Sequence, residues 1–156
     1  MTNHVISRPR ELAFLGLQMF NVAFLLLHDW IPLGRLNNLS AIRSQDKLSR
    51  SIFVTVLPVV PAAVCLFYSA KYFVQPYPDW VAMWLWITYG ALVFGLLRAW
   101  WVPYLIVPDM ERAARYRIIF AGTHSFLPQR NGMAPDTLHT VFHLAAAATL
   151  LLLLMR

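Results

Sequence analysis

The sequence predicts an all-α, integral membrane four-helix bundle, and three observations predict it. Four apolar runs are each long enough to cross a bilayer: residues 12–31, 51–70, 80–104 and 137–155. The composition is 59% hydrophobic and only 13% charged, too few polar groups for a soluble surface. Backbone groups in hydrocarbon must pair within their own segment, so runs of about 20 apolar residues have to be helices. At 156 residues the chain is expected to be one transmembrane domain.

The first run follows Ser7-Arg8-Pro9-Arg10, as the core of a signal peptide would. It carries Gln18 and Asn21 in its middle and ends in His28-Asp29-Trp30 without a small-residue cleavage site, so we read it as a retained span. The second run contains Pro58 and Pro61, which remove backbone donors and are expected to kink it. Cys65, the only cysteine, lies inside this run as a small packing residue, which excludes an intrachain disulfide and a thiolate metal cluster. The third run is the longest. Trp80, Trp84 and Trp86 near one end and Trp100, Trp101 and Tyr104 at the other look like aromatic belts at both interfaces. The fourth run ends in an ordinary Ala and Leu filler, and Asp136 or Thr137 is placed to cap its start.

The loops differ in content. The first opens with Pro32 and Gly34, after which Leu39 to Arg50 reads as a polar helical lead-in to the second span; the second is a tight turn marked by Pro76, Pro78 and Asp79. In the third, Pro108-Asp109 starts a short interfacial amphipathic helix over Met110 to Ala121, ended by Gly122 and followed by an irregular stretch. The first and third loops hold nine of the thirteen Lys and Arg residues (Arg35, Arg43, Lys47, Arg50, Arg98, Arg112, Arg115, Arg117, Arg130). By the positive-inside rule these loops face the cytoplasm and both termini lie outside, an orientation we expect in a bacterial inner membrane. The net charge of +6 is spread through loops without interleaved stacking aromatics. Membrane lipids, and not nucleic acid, are the expected partners, with a homo-oligomer or a membrane complex open alongside them.

Polar side chains inside the spans mark where chemistry would sit. Gln18, Asn21 and His28 share one helical face, and an unpaired polar group in hydrocarbon costs several kcal/mol, so that face is expected to meet the bundle. His139 and His143, four apart, share a face continued by the small Ala146 and Ala147. The topology puts His28, Asp29, Arg98, His139 and His143 on one membrane side, with Arg98 and His143 roughly 9 Å inside the span ends. Arg35, His124 and Asn131 are expected to fold over the same mouth, with His4 opposite.

Three chemistries suit such a pocket. Asp29 pairs with Arg98 while the histidines bond to backbone or water and fix helix register; or Arg35, Arg98 and the histidines bind an anion such as a lipid phosphate or carboxylate; or His28, His139 and His143 hold a metal or haem iron. A lone His-x-x-x-His is weakly specific, and no histidine boxes, haem-attachment motif, Gly-rich phosphate loop or Gly-x-Ser-x-Gly turn accompany it. The adjacent His124-Ser125 pair is a weak nucleophile signal. The cofactor stays open, with none the leading expectation. Functionally we expect a binding or accessory membrane protein with a His/Asp/Arg pocket at the mouth of the bundle; a small membrane enzyme acting on an amphipathic or lipid-phosphate substrate is the alternative. Paired broken helices or a repeat, as a transporter would show, are missing from the pattern.

Overall fold

The structure, a computed structural model, describes residues 7–156. His4 lies outside the described residues. Those residues are helical between turns and contain no strand. The helices are α1 (Arg8–Leu27), α2 (Leu39–Gln45), α3 (Leu48–Lys71), α4 (Asp79–Leu96), α5 (Val102–Leu105), α6 (Met110–Ile119) and α7 (Thr137–Leu154). A π-helical turn, Leu97–Trp101, joins α4 to α5. Four helices are long and apolar enough to cross a membrane: α1, α3, the continuous run Asp79–Leu105, and α7.

The first span is displaced towards the N-terminus relative to the hydropathy pattern. Pro9 sits in the first turn of α1, where a missing N–H costs nothing, so the helix starts at Arg8. It stops at Leu27, because Trp30 and Ile31 both donate to the Leu27 carbonyl and wind residues 28–30 into a turn. Asn37 secures that turn by donating to the carbonyls of His28 (2.7 Å) and Ile31 (2.8 Å). The Trp30 indole ties it to α3 through Thr55 Oγ1, at 3.0 Å. His28 and Asp29 therefore stand at the end of the helix and not within it.

Helix α3 runs as one element through Pro58 and Pro61. The polar lead-in predicted as one stretch is broken at Asp46 and Lys47 into α2 and the start of α3. The predicted amphipathic helix is α6, and both predicted caps are made: Asp109 accepts from the Arg112 N–H (2.9 Å) and Asp136 from the His139 N–H (2.7 Å).

The four long helices form a ring in which α1 packs on α3 and α7, and α4 packs on the same two. Gln18 and Asn21 are fully buried inside the ring, as polar groups in such a helix should be. Ser69 donates to Gln18 Oε1 (3.3 Å) and Asn21 to Thr149 Oγ1 (2.9 Å), bonding α1 to α3 and to α7. Around this layer lie two apolar clusters, one built on Phe14, Cys65, Leu85, Tyr89 and Leu153 and the other on Phe24, Ala62 and Phe142.

The first and third loops meet at one end of the ring. There α2 packs on α6, Asn38 donates to the Ala121 carbonyl (2.9 Å) and the His124 N–H donates to the Arg35 carbonyl (2.7 Å). At the other end Arg156 joins α1 to the second loop, pairing with Glu11 (2.6 Å) and donating to the Gln75 carbonyl (2.9 Å). Of the aromatic residues predicted to form belts, Trp80, Trp84 and Trp86 are outward and exposed, whereas Trp100 and Tyr104 are buried. Tyr104 donates to the Pro128 carbonyl (2.8 Å), and Trp100 packs on Tyr116, Phe120 and His139. The rings at that end hold the third loop down instead of anchoring the surface.

Candidate functional site

A cleft of about 1060 Å³ enters the ring at the end where α2 and α6 meet and runs along the seam between α3 and α4. Its walls change character along its length. Away from the mouth it is a groove open on the outer face of the ring, where Val54, Leu57, Pro58 and Pro61 of α3 flank Ile87, Ala91, Leu92, Gly95 and Leu96 of α4, with Trp84 farthest from the mouth. Small residues and prolines at this seam explain the space. A Cβ added at Gly95 would meet nothing within 4 Å. Each proline also leaves the carbonyl four residues earlier, Val54 or Leu57, without its helical donor.

Charge is confined to the mouth. Asp46, just past α2, accepts at both carboxylate oxygens from a single nitrogen, Nη2, of Arg115 of α6 (2.7 and 2.9 Å), with Arg50 at 3.4 Å from the same carboxylate. Arg112 closes onto Asp109 (3.0 Å), and the Arg112 backbone N–H together with its guanidinium holds the Asp109 carboxyl below the usual carboxylate range. The same guanidinium lies 3.4 Å from the Ala99 carbonyl, the acceptor that Pro103 leaves without a helical donor. Glu111 and Tyr116 complete this side, and burial pushes the Tyr116 phenol up.

Opposite them stand two histidines. His28 stacks on Phe24, with ring centroids 4.3 Å apart, and donates from Nδ1 to the Phe24 carbonyl (2.8 Å), while its Nε2 is 3.3 Å from Asp29. His139 lies in the first turn of α7 and is held through Nδ1 by the buried carboxylate of Asp136 at 2.9 Å. The His28 and His139 ring centroids are 5.3 Å apart, and Phe24, Trp100 and Phe120 surround His139 at 4.9 to 5.4 Å.

Of the eight residues the sequence brought to this mouth, His28, Asp29 and His139 line it. His143 is buried behind Trp100 and Trp101 with neither ring nitrogen bonded among the described residues. Arg98 is not the partner of Asp29. Within the π-helical turn Trp100 is buried, while Arg98 is exposed beside Val102, Pro108 and Met110. Arg35 and His124 are exposed; the first gives its carbonyl to the His124 N–H, and the His124 ring bonds to Thr137 Oγ1 (2.7 Å). Asn131 donates to the Pro103 and Tyr104 carbonyls from a left-handed backbone (φ 50°) and pins the third loop. Ser125 bonds to the Pro135 carbonyl (2.7 Å), not to its neighbour His124.

Among the described residues no three His, Cys, Asp or Glu side chains converge as a metal site. His139 and His143 face one another only at a centroid distance of 6.3 Å, with the indole of Trp100 against both rings. The carboxylate behind His139, and the arginines of α6, were legible only in part. An aspartate three residues before a histidine was visible as a cap, and a cap in this position is also a ring holder. Comparison with protein-family models, curated proteins and solved structures gives no match for this chain.

Proposed function

We propose that this protein spans a bacterial inner membrane with both termini outside and binds an amphiphile. The ligand's apolar chain lies between α3 and α4, and its polar head rests at the mouth between His28, His139 and α6. One observation carries the reading: a cleft whose apolar wall continues into a polar mouth, the arrangement that a molecule with one wet end and one oily end requires. Outward residues away from the cleft, such as Leu12, Phe67, Phe94 and Leu144, are more than half exposed and suit acyl chains, or a partner subunit, as their surroundings. Binding needs no covalent chemistry, and the protein is read as a binding or accessory component.

The Asp136 to His139 bond favours a second reading, a small membrane enzyme, because a carboxylate on Nδ1 leaves Nε2 oriented to exchange a proton with a bound head. The first reading is tested with the purified protein and a bromine-tagged decanol, whose saturable quenching of tryptophan fluorescence reports binding beside Trp84 and Trp100. Gly95→Leu puts a side chain, whose Cβ meets nothing within 4 Å, into the groove and should weaken quenching by at least roughly tenfold, the equivalent of about 1.4 kcal/mol. Unchanged, saturable quenching in that variant would place the site elsewhere.

A further inference from the structure

We infer that the cleft recognises an uncharged aromatic head bearing a hydroxyl, a phenol or hydroquinone on an apolar chain, and that His139 Nε2 accepts that hydroxyl's hydrogen bond. The inference rests on the cleft being the binding site proposed above and names what fills it.

Charge decides against an anionic head. The mouth holds Arg50, Arg112 and Arg115, and every one is already directed at a carboxylate: Arg115 and Arg50 at Asp46, Arg112 at Asp109. Glu111 and Asp29 line the same space. Three guanidinium groups therefore face four carboxylates, and a phosphate entering there would have to strip a guanidinium from its partner. Breaking a charge-assisted pair such as Arg115 with Asp46 costs more than a neutral head would lose by leaving it alone.

Shape decides for a planar head. Phe24, Trp100, Tyr116 and Phe120 wall the polar end of the cleft together with the two imidazoles. Rings present flat, weakly polar faces on which another ring stacks better than a branched or strongly hydrated group does.

Hydrogen-bond polarity decides for a hydroxyl. Asp136 is buried and its carboxylate can only accept, so the proton on His139 Nδ1 points at it. In the neutral imidazole this leaves Nε2 with a lone pair and no proton, and among the described residues nothing in the protein bonds to it. A bare acceptor in an aromatic enclosure pairs best with an O–H donor. Asp136 is thus a positioning residue that sets the tautomer, while His139 touches the ligand.

The probes are 4-nonylphenol, its methyl ether 4-nonylanisole, which can accept but not donate, and nonyl phosphate, each titrated into the purified protein by tryptophan fluorescence. Wild type should bind the phenol roughly five- to tenfold more tightly than the ether, the worth of one neutral hydrogen bond. It should bind nonyl phosphate more weakly than either. In Asp136→Asn the amide oxygen can keep the bond to the His139 N–H while the amide nitrogen faces Nδ1, which moves the ring proton to Nε2. The preference for phenol over ether should then fall to about one or reverse, with chain binding retained. A folded His139→Phe variant should bind both probes equally. If wild type binds phenol and ether alike while Gly95→Leu weakens both, the head assignment is wrong and the amphiphile cleft stands. Tighter binding of nonyl phosphate overturns the charge argument, and no saturable binding of any probe overturns both the head and the cleft.

Discussion

Replacing Glu11 by Gln should destabilise the protein by about 3 kcal/mol, the lower end of what breaking a buried ion pair costs. Glu11 is 1% exposed and its carboxylate lies 2.6 Å from Arg156, itself only 9% exposed. Removing the negative charge leaves a guanidinium with no counter-ion in a dry site. Three contacts keep the loss near 3 rather than 5 kcal/mol: the bond to the Gln75 carbonyl at 2.9 Å, the Tyr77 ring 3.3 Å beneath the guanidinium, and the oxygen that Gln still offers. A change of that size shifts the folded-to-unfolded ratio by about two orders of magnitude. It is measured by reversible unfolding in mixed micelles with increasing denaturing detergent. The control is the double variant Glu11→Gln with Arg156→Met, which removes both charges and should be less destabilised than the sum of the two single changes. A Glu11→Gln protein within 0.5 kcal/mol of wild type, or strict additivity in the double variant, would show that this pair does not hold α1 to the second loop.

Two further perturbations probe the other holding points. Thr149→Val keeps the shape of the side chain but strands the Asn21 amide, so it should cost about 0.6 to 1.7 kcal/mol by the same unfolding assay; no loss would mean that α1 and α7 are held by packing alone. Gly132 has φ +75° and its added Cβ would stand 3.3 Å from the Ala113 Cβ of α6, so Gly132→Ala should cost about 1–2 kcal/mol and loosen the Arg130 to Met133 turn. Faster proteolysis confined to residues 127–135 is the expected readout, and an unchanged rate would show that the loop relaxes around the methyl group.

The four long helices could be read from the sequence because lipid-length apolar runs have one backbone solution, and their ends could be read wherever a single residue decides them. Asp109 and Asp136 cap as expected. The end of α1 could not, since hydropathy sees Trp30 and Ile31 as more span while Asn37, six residues beyond Ile31, is what satisfies the final carbonyls. The register of the third span was equally hidden. Nothing local announces the π-helical turn at Leu97–Trp101 except Pro103 shortly after it. Arg98 was grouped with Asp29 by depth alone, and depth says nothing of rotation about the helix: Arg98 is exposed on the outer side. His28, His124, His139 and His143 stand toward one end of the ring, but position along the ring is a one-dimensional property. Which of them reach a common space depends on rotation about each helix, and rotation placed His139 in the cleft and His143 behind Trp100.

Proline links the two halves of the site. Pro58 and Pro61 stand on the cleft wall, and Pro103 strips the Ala99 carbonyl of its helical partner beside the mouth. The Arg112 guanidinium meets the Ala99 carbonyl while it stays bonded to Asp109, so the defect in the third span draws α6 against it. Asp46, reached by Arg115 one helical turn along α6, then draws in the first loop. Arg112 and Arg115 of the amphipathic α6 are thus spent on assembling the mouth out of three separate segments. What they leave uncommitted beside the apolar groove is an imidazole nitrogen held by a buried carboxylate, which is why, on the proposed reading, a hydroxyl-bearing head and not a charged one should govern selectivity.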